Sequence, residues 1–197
     1  MSLKPKSERI LGHVHQDIHR EIIELSKKGN RRAQYELYSL YSRAMFNVCM
    51  RILNSRENAE DALQDAFCEI FDKLESFRFE SSFGACARKI VINTCINHLR
   101  KRKKIPVFKE DPNLSYPDEH EETDWEDIGF KVDMIQKAIS KLPEGYRIIL
   151  SLYLLEGYDH LEISDILGIS ESTSKTQYMK AKKKVKELIL GQDARQI

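Results

Sequence analysis

Apolar side chains recur every three or four positions along almost the whole chain, and sustained two-residue alternation is absent, so the pattern predicts helices throughout. Ile18, Ile22 and Leu25 give a first helix that stops at Gly29-Asn30, a helix-ending pair. Leu37, Leu40, Tyr41, Ala44, Val48, Ile52 and Leu53 give a second, ending near Asn54-Ser55. The third runs from about Asn58 to Leu74, with Ala62, Leu63, Ala66, Phe67, Ile70, Phe71 and Leu74 as its apolar stripe. A short loop from Phe77 to Ser82 follows, and a fourth helix starts near Phe83 with Ile90, Cys95 and Leu99 facing inward. Between Ile105 and Gly129 the periodicity disappears, while three of the five prolines and nine acidic residues accumulate, which reads as an extended linker. Helical pattern resumes at Val132, is punctuated by Leu142-Pro143-Glu144 and continues to about Leu190, and no internal repeat is present. The expected fold is therefore all-α, two small helical domains joined by a flexible acidic linker. The expected divisions are a tail at 1–20, a first domain at 21–104, the linker at 105–130 and a second domain at 131–190.

The sharpest local pattern is Tyr158–Leu188. Asp159 and Glu162 have capping-box spacing, opening a helix whose inward residues are expected to be Leu161, Ile163, Ile166 and Leu167. Gly168 suits a left-handed helix end, Ile169 plugs the turn, and Ser170 is placed to cap a second helix. That helix packs through Tyr178, Ala181, Val185 and Leu188, and its other side presents Ser172, Thr173, Lys175, Thr176 and Lys180. Six lysines lie from Lys175 to Lys186 with no acid among them. A plain helical hairpin would share the two helices. The turn glycine, cap, plug and basic face together instead predict a helix-turn-helix, with hydroxyls, Gln177 and Lys175 reaching base edges and later lysines meeting phosphates.

Charge sharpens this picture. The whole chain sums to +1, yet Ser81–Lys109 holds eight Lys or Arg and no acid, while Pro112–Asp127 is heavily acidic. A polyanion responds to local charge density, because each cation placed on a phosphate releases condensed counterions. Phe77, Phe79 and Phe83 lie beside this basic stretch, which carries Arg88, Lys89 and the run Arg100–Lys104. Aromatics next to cations can stack unpaired bases, although a solvated charged helix face would have similar composition. An apolar fraction of 41% permits packed cores, and no apolar run approaches the length of a membrane span. Met1-Ser2-Leu3-Lys4-Pro5-Lys6 lacks the apolar core of a signal peptide, so a cytoplasmic protein without membrane insertion is expected. Cys49, Cys68, Cys86 and Cys95 are widely spaced, each within a helical pattern, and are expected to be small buried hydrophobes rather than disulfide or zinc partners. His15 and His19 would share a helix face near His13 but lack further ligands, which makes them surface residues. No nucleophile–base pair, phosphate loop or metal cluster is visible, so neither enzymatic activity nor a cofactor is expected.

Taken in order, these segments resemble the extracytoplasmic-function (ECF) sigma factors of bacterial RNA polymerase, over about Ile22 to Leu190. Asn58-Ala-Glu-Asp-Ala-Leu-Gln-Asp-Ala-Phe looks like the family's polymerase-binding helix. Ser76-Phe-Arg-Phe-Glu-Ser-Ser-Phe, Arg88-Lys-Ile-Val-Ile-Asn93 and His98-Leu-Arg-Lys-Arg-Lys-Lys104 are similar to its promoter-melting segment. Leu142-Pro-Glu-Gly-Tyr-Arg147, Leu155-Glu-Gly157 and Ile163-Ser-Asp-Ile-Leu-Gly-Ile-Ser170 match its C-terminal domain. The resemblance implies a promoter-specificity subunit that binds core RNA polymerase, recognises the −35 and −10 elements and promotes strand opening. It implies that Asp61, Gln64, Asp65 and Glu69 face the polymerase. For the −10 element it implies Phe77 as a wall of a flipped-base pocket, Ile90 as its floor and Asn93 as its polar reader, with Ser82, Arg88, Lys89, Asn97, Arg100 and Lys101 on adjacent DNA. For the −35 element it implies Ser172, Thr173, Lys175, Thr176, Gln177 and Lys180. Expected partners are core RNA polymerase, promoter DNA as duplex and as non-template single strand, and an anti-sigma factor.

Four positions depart from the family pattern. Cys86 stands where a Trp is common, and Gln177 and Lys180 replace frequent arginines, losing bidentate guanine recognition. Ser174 replaces a buried aliphatic, and its hydroxyl is expected to bond the preceding turn's carbonyl. Two other readings share part of the pattern. A dimeric helix-turn-helix regulator would explain the C-terminal half, and an RNA-binding adaptor would use the same basic run.

Overall fold

The computed structural model describes residues 19–102 and 132–193; the expected linker, residues 1–18 of the expected tail with His13 and His15, and Lys103-Lys104 lie outside the described residues, whereas His19 and Arg20, also placed in the tail, are helical. Every regular element among the described residues is helical. The chain divides into two compact units, with the boundary between Leu99 and Arg100.

The first unit begins with a helix through residues 19–27, α1. Gly29 ends it at φ 77, in the left-handed region that glycine occupies without penalty. Asn30 then caps α2 (Arg31–Leu53), its side-chain oxygen accepting from the Arg32 and Ala33 amides at 3.0 and 3.1 Å. Such a cap contributes about 1 kcal/mol. Asn54 closes α2 in the left-handed conformation, and Ser55 caps α3 (Arg56–Lys73). A 3₁₀ turn (Leu74–Ser76) and the loop 77–82 lead into α4 (Phe83–Lys101). Ser82 opens α4 by accepting from the Ala85 amide at 3.2 Å.

The core of this unit is the shared stripe of α2, α3 and α4, including Leu37, Ile52, Ala66, Phe67, Ile70, Val91, Ile92, Ile96 and Leu99. Side chains such as Ile52 and Ile92 each contribute about 1.5–3 kcal/mol by leaving water. Three positions predicted from periodicity to face inward do not. Leu25, Leu40 and Ala44 lie outside the buried register, which Ile23, Met45 and Cys49 fill instead. Against the expectation that all four cysteines are buried, Cys86 is only half-buried and Cys68 is exposed. It stands on the outer side of α3, away from the buried stripe of that helix.

The second unit runs α5 (Val132–Ser140), α6 (Glu144–Leu150), a π-helical turn (Ser151–Leu155), α7 (His160–Leu167) and α8 (Glu171–Asp193). Pro143 stands at the start of α6, where its missing N–H would have no helical partner. α8 packs against α5, α6 and α7, and its Ala181, Val185 and Ile189 join Ala138, Ile139, Leu142 and Leu150 in one core. Leu161, predicted inward, is 59% exposed. The buried face of α7 is Ile163, Ser164 and Leu167, and a residue two positions before Ile163 sits about 200° round the helix.

Candidate nucleic-acid and polymerase interfaces

On α3 the buried residues Ala59, Ala62, Leu63, Ala66, Phe67 and Ile70 leave the opposite side to polar groups. Asp61, Gln64 and Asp65 are exposed there and Glu69 is half-buried. Asp65 is held from α4, with its Oδ2 2.8 Å from His98 Nε2. Glu69 pairs with Lys73 one turn on, and its other oxygen accepts from the Thr94 hydroxyl at 3.5 Å. Two of these four side chains are thus anchored within the domain. Cys68 and Asp72 continue the same exposed stripe, one turn beyond Gln64, Asp65 and Glu69. The sequence reading missed both, although the four-residue step that starts at Gln64 leads to Cys68 and then to Asp72.

The loop 77–82 and α4 form a second polar and aromatic surface. Phe77 is half-buried, its ring centred 4.9 Å from that of Phe79 and meeting Phe83 edge-on at 5.9 Å. Phe83 in turn meets Tyr41 of α2 edge-on at 4.8 Å. Burial raises the Tyr41 hydroxyl's pKa above its ordinary value. The Gly84 backbone passes so close that an added Cβ would lie 3.2 Å from the Tyr41 ring. Along α4, Phe83, Ala87, Val91, Cys95 and Leu99 are buried, whereas Arg88, Lys89, Asn93, Asn97, Arg100 and Lys101 are exposed and Ile90 is half-buried. Asn93 and Asn97 stand one turn apart, and Ile90 stands one turn before Asn93 on that side. Ser82 is exposed but also serves as the α4 cap. Burial pushes the Cys86 thiol upward, and the nearby Lys89 and Lys73 ammonium groups oppose that shift.

The helix-turn-helix is assembled largely by its own local bonds. Asp159 and Glu162 make the reciprocal capping box at the start of α7. Gly168 takes φ 70, and the Ile169 amide donates back to the Ser164 carbonyl at 3.1 Å. Ser170 caps α8 by accepting from the Thr173 amide at 3.1 Å. Ser172 is exposed, and Lys175, Thr176 and Lys180 are half-buried, with Lys175 3.0 Å from the Glu171 carboxylate.

Two residues placed outward by the sequence reading are turned inward. Thr173 is 4% exposed with its hydroxyl 2.7 Å from that of Ser170, and Gln177 is 8% exposed. They lie eight and four residues before Ala181, on the side of α8 that packs into the domain. Met179 and Lys183 are exposed residues that continue the line of Ser172 and Thr176, and neither was singled out from sequence. Ser174 is fully buried, and its hydroxyl shares a 2.9 Å hydrogen bond with His160 Nδ1 rather than with the turn carbonyl expected. His160 stacks on Tyr153 with centroids 4.5 Å apart, and both rings contact Tyr178. Burial and the neighbouring Tyr153 push the Tyr178 hydroxyl up to about 12.

A basic helix-turn-helix in one unit, and an asparagine- and cation-bearing helix behind an aromatic loop in the other, is the arrangement of a sigma-70-type transcription initiation factor. Two family models agree: Sigma-70 region 2 matches residues 37–105 and Sigma-70 region 4 matches residues 133–185. The chain belongs to the extracytoplasmic-function sigma factors, the promoter-recognition subunits that bind core RNA polymerase and promoter DNA. It is 24% identical over 178 residues to the ECF sigma factor SigM of Mycobacterium tuberculosis, covering 90% of this chain and 88% of that protein. It is 28% identical over 166 residues to the ECF sigma factor SigW of Bacillus subtilis, covering 79% and 88%. Among solved structures, the sigma factor RpoE of Bartonella quintana, in complex with the anti-sigma factor NepR, is similar in fold. Its TM-score is 0.50 at 21% identity, over 79% of this chain and 95% of that one. No helix among the described residues is long and apolar enough to cross a membrane.

Proposed function

We propose that the three surfaces divide promoter recognition between them and that the chain contributes no chemistry of its own. The exposed side of α3, with Asp61, Gln64, Asp65 and Glu69, docks on core polymerase. Its acidic groups serve orientation and association rate against a basic partner more than raw affinity. Phe77 and Ile90 enclose a base flipped from the non-template strand at the −10 element, and Asn93 reads its edge. Flipping costs a few kcal/mol, which stacking and edge hydrogen bonds offset. Arg88, Lys89, Asn97, Arg100 and Lys101 hold the adjacent backbone, and Ser82 fixes the start of the helix that carries them.

In the second domain Ser172, Lys175, Thr176 and Lys180 face the −35 element in the major groove. Thr173 and Gln177 brace the recognition helix from its inner side and shape what the others read. The protein works in the cytoplasm beside the polymerase. We extend to this chain an anti-sigma partner of the kind bound to the Bartonella quintana sigma factor, acting by covering these same surfaces.

One observation carries the −10 assignment. Asn93 is exposed in a helix whose next three residues, Thr94, Cys95 and Ile96, are buried, so an exposed amide stands at the edge of an apolar surface, one turn from Ile90. Run-off transcription with core polymerase, using promoters recovered from genomic fragments, tests it through Asn93→Ala. Strand opening should fall while co-purification with core polymerase stays near wild type, and equal loss of both would remove Asn93 from base reading.

A further inference from the structure

The loop 77–82 is held in a form that its own sequence does not favour. Phe79 stands at φ 60, a left-handed conformation that bulky residues rarely adopt and that persists only where the surroundings over-determine it. Those surroundings come from α1. Arg20 places its guanidinium carbon 4.7 Å from the Phe79 ring centroid, and Lys27 places its ammonium 5.0 Å from the same centroid. The Lys27 ammonium also donates to the Phe77 carbonyl at 2.6 Å, and the Glu24 carboxylate lies 3.9 Å from it. One cation therefore grips a carbonyl and an aromatic face two residues apart on the same loop. Packing alone would not fix the loop, because a cavity of about 230 Å³ opens beside it, lined by His19, Ile23, Tyr41, Phe79, Ser82 and Phe83.

We propose that Lys27, with Arg20 and Phe79, is a positioning residue for strand opening: it clamps the loop so that Phe77 is in place before the flipped base arrives. The proposal rests on the base-capture reading above and adds a device to it. Unstacking a base is already unfavourable. A loop that had to order itself in the same step would add to that barrier, whereas a pre-set loop adds nothing. Cation–aromatic contact suits the task, since it holds the Phe79 ring without needing the cavity to be filled.

The test uses holoenzyme from the full chain and core polymerase, on a promoter whose −10 non-template bases are removed one at a time to leave abasic sites. Open complex is read by fluorescence of a 2-aminopurine placed downstream of each abasic site. Wild type should lose opening sharply at the captured position. Lys27→Met should open the intact promoter about tenfold less well, the worth of one charge-assisted hydrogen bond. Removal of the captured base should then cost this variant little more. Lys27→Arg, which keeps a donor and a cation, should restore both the opening and the sensitivity to the base. Equal loss by Lys27→Met on intact and abasic templates would overturn the proposal, since it marks a phosphate contact or general damage, and so would wild-type behaviour of Lys27→Met. Phe79→Leu, which removes the ring and leaves the Lys27 bond to the backbone, must show the same selective pattern if Lys27→Met does not fold. A wild type indifferent to every abasic site overturns the base-capture reading itself, and the clamp with it.

Discussion

At the scale of single residues, the second helix of the helix-turn-helix carries two kinds of side chain, those that face outward and those that brace them. Lys175 is half-buried and paired with Glu171 at 3.0 Å, so its ammonium is directed along the first turn of α8. If it reads a base, Lys175→Ala should weaken −35 binding by about 1–3 kcal/mol, with unequal losses across promoter sequences in a binding assay. A uniform loss would mark a phosphate contact. Ser174 belongs to the bracing group, fully buried and bonded to His160 at 2.9 Å. Ser174→Ala should cost about 1–2 kcal/mol in thermal denaturation, and the loss should be less than additive with His160→Ala. The sequence could not show this pair, because fourteen positions separate the two residues and only the packing of α7 on α8 brings them together. Thr173 and Gln177 escape the sequence reading for a simpler reason. That reading starts the buried stripe at Tyr178, whereas Ala181 and Val185 are fully buried and set the register from their own positions, one to two turns further back.

At the scale of elements, helix ends are the most legible feature because capping chemistry is local. Asp159 and Gly168 do what their residue types suggest, while Asn30 and Ser55, read from sequence only as helix ends, also cap the helices that follow them. Faces are less legible, because an apolar residue in a helical sequence can point either way until a neighbour covers it. Leu40 and Leu161 stay largely in water, at 47% and 59% exposure. The polar side of α3 is legible as an outward face at Asp61, Gln64 and Asp65, and its extension to Cys68 and Asp72 follows from the same helical step, although a cysteine in an apolar helical pattern reads as buried. That side offers a direct check of the proposed polymerase contact. Asp61→Arg with Asp65→Arg should abolish co-purification with core polymerase while leaving the far-ultraviolet circular dichroism unchanged, since both side chains are exposed and the bond that Asp65 loses, to His98, joins two helices rather than forming either one. Cys68 is the exposed thiol among the described cysteines. A bulky maleimide on it should block holoenzyme assembly in the same assay, and a Cys68→Ser protein treated identically should assemble normally.

At the scale of the whole molecule, the sorted charge decides how the protein must behave alone and in company. Among the described residues the basic surfaces are the exposed side of α4 and the lysine-bearing side of α8, each with a handful of cations. Each neutralises only a few phosphates, so binding of the free chain to duplex DNA should be weak and steeply salt-dependent. Binding two places on one DNA while a third surface is anchored to polymerase converts weak contacts into a tight one through effective concentration. The free protein is therefore expected to be a monomer in analytical ultracentrifugation and to give no footprint at micromolar concentration, whereas holoenzyme protects both promoter elements. Lys183→Ala, one turn beyond Lys180 and taken as a phosphate contact, should reduce the slope of log affinity against log salt for holoenzyme by about 0.9. A free dimer that footprints a two-fold site unaided would instead favour a conventional helix-turn-helix regulator, because two-fold protein symmetry and operator symmetry go together.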